Sequence, residues 1–389
     1  MSSFTINIDN VTTTGSDDYL DPNKLSLSLP PEPVSSGQMS RSSSDQDGDP
    51  AYPAPEKIAV FSPGTTCTTY TMGGSSGISG KENQDACSVI TIKRKGIKYR
   101  IGTVCDGHGL HGQKYANYVV SMLPHLIVES FKRLLTEPVL VLKELFAYVS
   151  ANLETDMYHK AGGTTVTVTI LSPGQLICAN LSDCEALIKI DSSVESVCVR
   201  RNNQVIPTEM SNGVVRATVN HNWTNMEEVE RVLALGASVK YATQSMSATE
   251  LDVYISVVDS EGLESYVQTP HSNQPGGYVS NMSREPAVYF HGKFGAKINM
   301  TRSLGDWSAE FLSREPDVTV ITWPSESKAR LLVASDGYFN CFSKEDQELE
   351  LAFELTPSEI CHRGHDAVGK TFGHRYADNT TIVVLETGF

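Results

Sequence analysis

The chain has 389 residues, a net charge of −15 at pH 7 and 40% hydrophobic residues. That length fits one large domain or two ordinary ones, with enough apolar material for a sizeable core. The acidic balance argues against a nucleic-acid backbone or an anionic membrane as main partner, and no run approaches the ~18 apolar residues of a membrane span.

The opening Met1-Ser2-Ser3 has neither the basic nor the apolar region of a secretory leader. An intracellular protein, cytoplasmic and/or nuclear, is therefore expected. The eight cysteines are scattered without a Cys-x-x-Cys pair, as reduced buried thiols would be. Residues 1–56 are rich in Ser, Pro and Asp and too poor in apolar groups to offset the entropy of ordering, which predicts a disordered tail. Residues 57–389 read as the folded domain.

Strand-like runs begin at Ile58–Phe61, Cys67–Met72, Cys87–Lys93 and Tyr99–Val104. Apolar residues at three- and four-residue spacing then predict helices over about 113–135 and 138–157, the second opening at Pro138. Strands follow at Thr165–Leu171, Leu176–Asn180 and Ala186–Ile190, the first two joined by a Pro173-Gly174 turn. A helix is expected at Met226–Leu235, with Thr224 as its N-cap and Gly236 as its C-cap. Residues 241–286 are polar and weakly periodic, like an insertion. Strands return at Val318–Ile321 and Leu331–Ala334, helices near Lys344–Phe353 and Pro357–Thr371, and a last strand at Thr381–Leu385. Strands outnumber helices and form hairpins, so the fold class is α+β rather than a doubly wound sheet.

Three local patterns are decoys. Gly364-His365-Asp366-Ala367-Val368-Gly369-Lys370-Thr371 has the letters of a phosphate-binding loop, but the residues before it read as helix where a strand is needed. Asp45, Asp47, Asp49 and Glu56 fall at positions 1, 3, 5 and 12 of a calcium loop, yet Pro50 stands where the sharp turn requires Gly. Cys361, His362 and His365 have no second pair at metal-site spacing, so they read as a helix face.

Four carboxylates carry more weight. Asp106 follows the apolar run Tyr99–Cys105, Asp336 follows Leu331–Ser335, Asp85 precedes Cys87–Ile92, and Asp378 precedes Asn379 and the last strand. Each sits at a strand end beside Gly, Asn or a short residue. A single Asp-Gly there is an ordinary turn. Four converging carboxylates would repel one another unless a cation lay among them. Oxygen donors without a Cys or His set favour Mg²⁺ or Mn²⁺.

At this point the sequence resembles the metal-dependent protein serine/threonine phosphatase family, type 2C, across about residues 57–388. The matching pieces, in family order, are Glu82-Asn83-Gln84-Asp85-Ala86, Val104-Cys105-Asp106-Gly107-His108-Gly109, Gly162-Gly163-Thr164-Thr165-Val166 and Ala179-Asn180-Leu181-Ser182-Asp183. Then come Thr301-Arg302-Ser303-Leu304-Gly305-Asp306, Ala334-Ser335-Asp336-Gly337 and Asp378-Asn379-Thr380. The resemblance implies a sandwich of two antiparallel β-sheets flanked by pairs of antiparallel helices. It implies hydrolysis of phosphoserine and phosphothreonine in proteins at a binuclear Mg²⁺ or Mn²⁺ centre, without a phosphoenzyme, by a monomer whose partners are phosphoprotein substrates. Residue by residue, Asp106 would bridge two ions, with the Gly107 carbonyl, Asp336 and Asp378 as further ligands and Asp85 holding metal-bound waters. Asp183, with Asp336, matches a weaker third site, and His108 matches the general acid.

The chain also departs from the family pattern. Gly80 stands where an Arg often holds the substrate phosphate, leaving Lys81 as the nearest cation, a point charge without the planar fork of Arg. Gln84 replaces a frequent carboxylate, Cys184-Glu185 replaces Ser-Arg, and Asn340 replaces an acid. The region 241–286 lengthens the family's flap. No principal Asp is lost, which favours an active enzyme over an inactive phosphatase-like scaffold that binds phosphoproteins.

Overall fold

The structure is a computed structural model. It describes side chains over most of 82–235, 300–339, 353–366 and 378–387, and backbone alone in strands within 4–7, 57–80 and 238–298 and at the end of the last helix.

Two sheets face each other. The first has eight strands in the order Phe4–Asn7, Ala86–Arg94, Ile97–Cys105, Val166–Ser172, Gln175–Leu181, Asp317–Thr322, Cys198–Arg201 and Gln204–Ile206. The second has seven, ordered Met210–Ser211, Val214–Arg216, Glu185–Ile190, Ala329–Ala334, Thr380–Thr387, Cys67–Met72 and Lys57–Ala59. Neighbours pair antiparallel, save that Phe4–Asn7 lies parallel to Ala86–Arg94. That short strand falls within the stretch expected to be a disordered tail, and the rest of 1–56 lies outside the described residues.

Alternation along the strands builds three apolar layers. Val89, Val104, Leu176 and Cys178 meet Ala186, Ile188, Leu331, Val333, Val383 and Leu385 between the sheets. On the outer face of the first sheet, Ile90, Ile92, Ile101, Val168 and Ile170 pack under the helices Gly112–Glu129 and Pro138–Met157. On the outer face of the second, Leu187, Leu332, Ile382 and Val384 pack against Tyr338, Ile360 and Cys361. A Cβ at Gly102 would come 3.0 Å from a Val383 methyl, so glycine is what lets the sheets close there.

Pro138 opens its helix as expected, and Val141, Leu142, Leu145, Phe146, Val149 and Leu153 supply the buried face. The expected helix over 113–135 breaks at Ser130, whose φ of −88° and ψ of 5° end one helix and start the short turn Phe131–Leu134. The break lets Phe131 and Leu134 both enter the core. Thr224 and Gly236 lie outside the described residues. The first turn of Met226–Ala234 is capped by Asn225, whose side-chain oxygen accepts the Glu227 N–H at 3.0 Å. The expected helix at 344–353 also falls outside the described residues, apart from Phe353, which sits in a turn. The strands Ser238–Ser247, Glu250–Val258, Glu264–Gln268, Ala287–Tyr289 and Lys297–Ile298 pair in that order as an antiparallel sheet, and the rest of the expected insertion over 241–286 lies outside the described residues. Among the described residues, no helix is long and apolar enough to cross a membrane.

Candidate active site

Strand register forces the carboxylates together. Ala86 pairs with Cys105, so Asp85 and Asp106 flank one rim of the first sheet side by side. Ala334 pairs with Ile382, so Asp336 and Asp378 leave the corresponding rim of the second sheet together. Ser335 ties the two rims. Its hydroxyl donates to Asp85 Oδ2 at 2.8 Å and accepts the Thr381 N–H at 2.9 Å. The Asp106 backbone is clamped in turn. Its N–H donates to Thr165 Oγ1 at 3.0 Å, and its carbonyl accepts from the Thr165 N–H at 2.9 Å and the Thr164 hydroxyl at 3.0 Å.

The electrostatics follow from that crowding. Burial, then repulsion from Asp378 and Asp336, lifts the Asp85 carboxyl to about 7 against a hydrogen bond from Ser335. Burial and the charges of Asp85 and Asp336 push Asp106 well above the carboxylate range, and Asp106 is hydrogen bonded to Asp336. Asp183 sits where the chain crosses from Gln175–Leu181 in one sheet to Glu185–Ile190 in the other. Burial first, then Asp106, Asp183 and Asp85 among its neighbours, raise the Cys184 thiol, so Asp183 borders the same acidic cluster.

Among the described residues no three His, Cys, Asp or Glu side chains form a ready-made ligand set. The donors nevertheless fit a hard divalent cation. They are all oxygen, they repel one another without a counter-charge, and Asp85 Oδ1 is buried with no hydrogen-bond partner.

His108 belongs to a separate three-stranded sheet of Gly107–His108, Gly163–Thr164 and Leu304–Gly305. That sheet brings Asp306 to it across 198 residues, with His108 Nε2 and Asp306 Oδ2 at 2.6 Å. Burial works against a charged imidazole here, but the charge and hydrogen bond of Asp306 overcome it and raise the His108 pKa. Burial likewise opposes a charged Asp306, and His108 with the Ser303 hydroxyl, 2.8 Å away, holds it below its ordinary range. Asp306 has φ of +48° and follows Gly305 at +107°, a left-handed pair that aims its carboxylate inward. A Cβ on Gly163 would lie 2.4 Å from Asp306 Oδ2 and 2.9 Å from His108 Nε2.

The structure therefore gathers Asp85, Asp106, Asp336 and Asp378, with Gly107 and His108 next to Asp106 and Asp183 at the margin. Lys81 lies outside the described residues. Gln84 donates from Nε2 to the Gly109 carbonyl at 2.8 Å, a bond an ionised carboxylate could not make. Glu185, which stands where the family has Arg, pairs with Arg216 and accepts from Asn220 Nδ2 at 3.0 Å. The sequence places Asp306 at the end of the Thr301–Asp306 motif without marking it as a functional residue. Its only local signal was a Gly-Asp turn.

The acidic rim thus lies at one edge of an α+β sandwich of two sheets with helices on both outer faces. The chain belongs to the protein phosphatase 2C family, whose profile matches residues 72–363. Among solved structures it is similar to a C. elegans sex determining protein, with TM-score 0.49 and 16% identity, covering 82% of this chain and 64% of that one. It is also similar to a serine-threonine phosphatase 2C from Toxoplasma gondii, with TM-score 0.47 and 16% identity over 82% of this chain and 99% of that one. A bacterial serine phosphatase aligns at TM-score 0.45 and 13% identity, over 82% of this chain and 96% of that one. No curated protein matches the sequence.

Proposed function

We propose that the protein removes phosphate from phosphoserine and phosphothreonine in proteins with the help of two divalent cations, Mg²⁺ or Mn²⁺, and a weaker third. The buried, mutually repelling carboxylates at the facing sheet rims carry this reading. Asp106, the Gly107 carbonyl, Asp336 and Asp378 would hold the ions, with Asp85 orienting their waters and Asp183 serving the third. When bound, such ions lower the pKa of water and offset charge on phosphoryl oxygens.

The chain's own residues do the rest. Ser335 and Thr165 fix the orientation of Asp85 and Asp106 before substrate arrives. The charge and hydrogen bond of Asp306 raise the His108 pKa against burial and so favour the protonated imidazole. A serine alkoxide is a poor leaving group, and His108 would protonate it as the phosphorus–oxygen bond breaks. No side chain needs to become phosphorylated. We place the protein inside the cell, acting as a monomer on phosphoprotein substrates.

The test is turnover of a phosphoserine peptide by the full chain across a Mn²⁺ titration, with an EDTA control and the Asp106→Asn and Asp336→Asn variants. Metal-dependent turnover lost in both variants supports the reading. Peptide binding without turnover in excess metal would make the protein a phosphopeptide-binding scaffold instead.

A further inference from the structure

His221 lies outside the acidic cluster, is completely buried, and has no part in the reaction above. Both of its ring nitrogens are nonetheless committed. The Ser182 backbone N–H donates to Nδ1 at 3.0 Å, and the His221 N–H donates back to the Ser182 carbonyl at 3.1 Å. An accepting Nδ1 leaves the ring proton on Nε2, which donates to Asp317 Oδ2 at 2.9 Å. Asp317 is itself held by Asn202 Nδ2 at 2.9 Å and Arg302 Nη1 at 3.2 Å, and Arg302 reaches back to Glu228 through Nε at 2.9 Å. The imidazole is thus a rigid peg, and burial keeps it neutral.

What the peg holds is strained. Ser182 has φ of +103°, in the left-handed region that favours glycine, at the crossing between the two sheets. Its hydroxyl donates to Asp183 Oδ1 at 3.1 Å. Ser182 is therefore pinned through its amide by His221, and its side chain pins Asp183.

We propose that His221 is a positioning residue for Asp183, fixing the Ser182 backbone so that the Asp183 carboxylate faces the cation site. The cation role of Asp183 rests on the function proposed above, whereas the hold on Ser182 does not.

The experiment compares His221→Asn with His221→Gln in the full chain. The Asn amide oxygen reaches the place of Nδ1 and can still accept from Ser182. Gln reaches the place of Nε2 and cannot. Each change breaks one of the two ring bonds, so loss of stability alone would affect both alike. The readouts are calorimetric titration with Mn²⁺ and hydrogen exchange of the peptide carrying Ser182. The expected result for Gln is about 10-fold weaker Mn²⁺ binding at the weakest site and faster exchange, with Asn close to the parent in both. Equal Mn²⁺ binding and equal exchange in the two variants overturn the proposal. Should the parent chain bind no Mn²⁺, the cation reading falls. Exchange then decides alone, since opening of Ser182 in Gln but not Asn still supports the peg, and equal opening refutes it. If the Gln variant does not fold, Asp317→Asn takes its place: the new amide oxygen must face the Asn202 and Arg302 donors, its NH2 then faces Nε2, and the ring proton moves to Nδ1, which can no longer accept the Ser182 N–H. That variant should weaken Mn²⁺ binding and speed exchange, and unchanged values refute the proposal.

Discussion

At the scale of single residues, the contact that separates a proton donor from an ordinary surface histidine is His108 with Asp306. The two charges stabilise each other, raising the one pKa and lowering the other. Asp306→Asn keeps the shape but removes the charge, so His108 should lose its proton more readily. We expect turnover of a phosphoserine peptide to fall by about 100-fold, the low end for general acid catalysis, with KM little changed. Hydrolysis of p-nitrophenyl phosphate, whose leaving group needs no proton, should fall far less, and an equal loss on both substrates would remove His108 from this role. Gly163→Ala should reproduce the same selective loss. Its Cβ would have to share space with Asp306 Oδ2 at 2.4 Å and His108 Nε2 at 2.9 Å.

At the scale of elements, the segment carrying Asp306 is anchored by the helix Met226–Ala234. Glu228 on that helix accepts from Arg302, from Arg231 Nε at 3.1 Å and from the Thr301 hydroxyl at 2.8 Å. Burial alone would raise the Glu228 pKa, but the hydrogen bond and charge of Arg302, then Arg231, lower it from 4.5 to about 2. A depressed folded-state pKa adds stability above the unfolded value and loses it as pH falls through the folded one. The contribution is roughly 3 kcal/mol at pH 7, shrinking between about pH 5 and pH 2. Glu228→Gln should therefore cost about 3 kcal/mol in urea unfolding at pH 7, and its deficit against the parent should narrow as the pH drops toward 2. A deficit independent of pH would mean that packing, not charge, sets the cost.

At the scale of the whole molecule, the α+β class and the main strands were legible because apolar residues alternate along them. The four acids were legible because each adjoins such a run. Partners distant in the chain were not. Nothing local links His108 to Asp306 or Ser182 to His221, because a small sheet and a sheet crossing create those contacts. The helix break at Ser130 was hidden too, since Phe131 and Leu134 continue the apolar pattern while the backbone turns. The same topology that gathers the acids also works against the fold. Facing sheet rims bring Asp85, Asp106, Asp336 and Asp378 into mutual repulsion in a buried place, a stability cost accepted at a functional site. Asp106→Asn replaces an acid whose ionisation the fold opposes with a neutral side chain of almost the same shape. Without added metal it should raise the unfolding free energy by about 1 kcal/mol, within the range of relieved functional strain. Mn²⁺ should raise the melting temperature of the parent chain, because a ligand bound only by the folded state stabilises it in proportion to its occupancy. The Asn variant should show little of that rise. Thermal unfolding of both chains in EDTA and in Mn²⁺ reads the two effects separately. A variant less stable than the parent in EDTA, or equally stabilised by Mn²⁺, would show that the acids are not a charge cluster waiting for a cation.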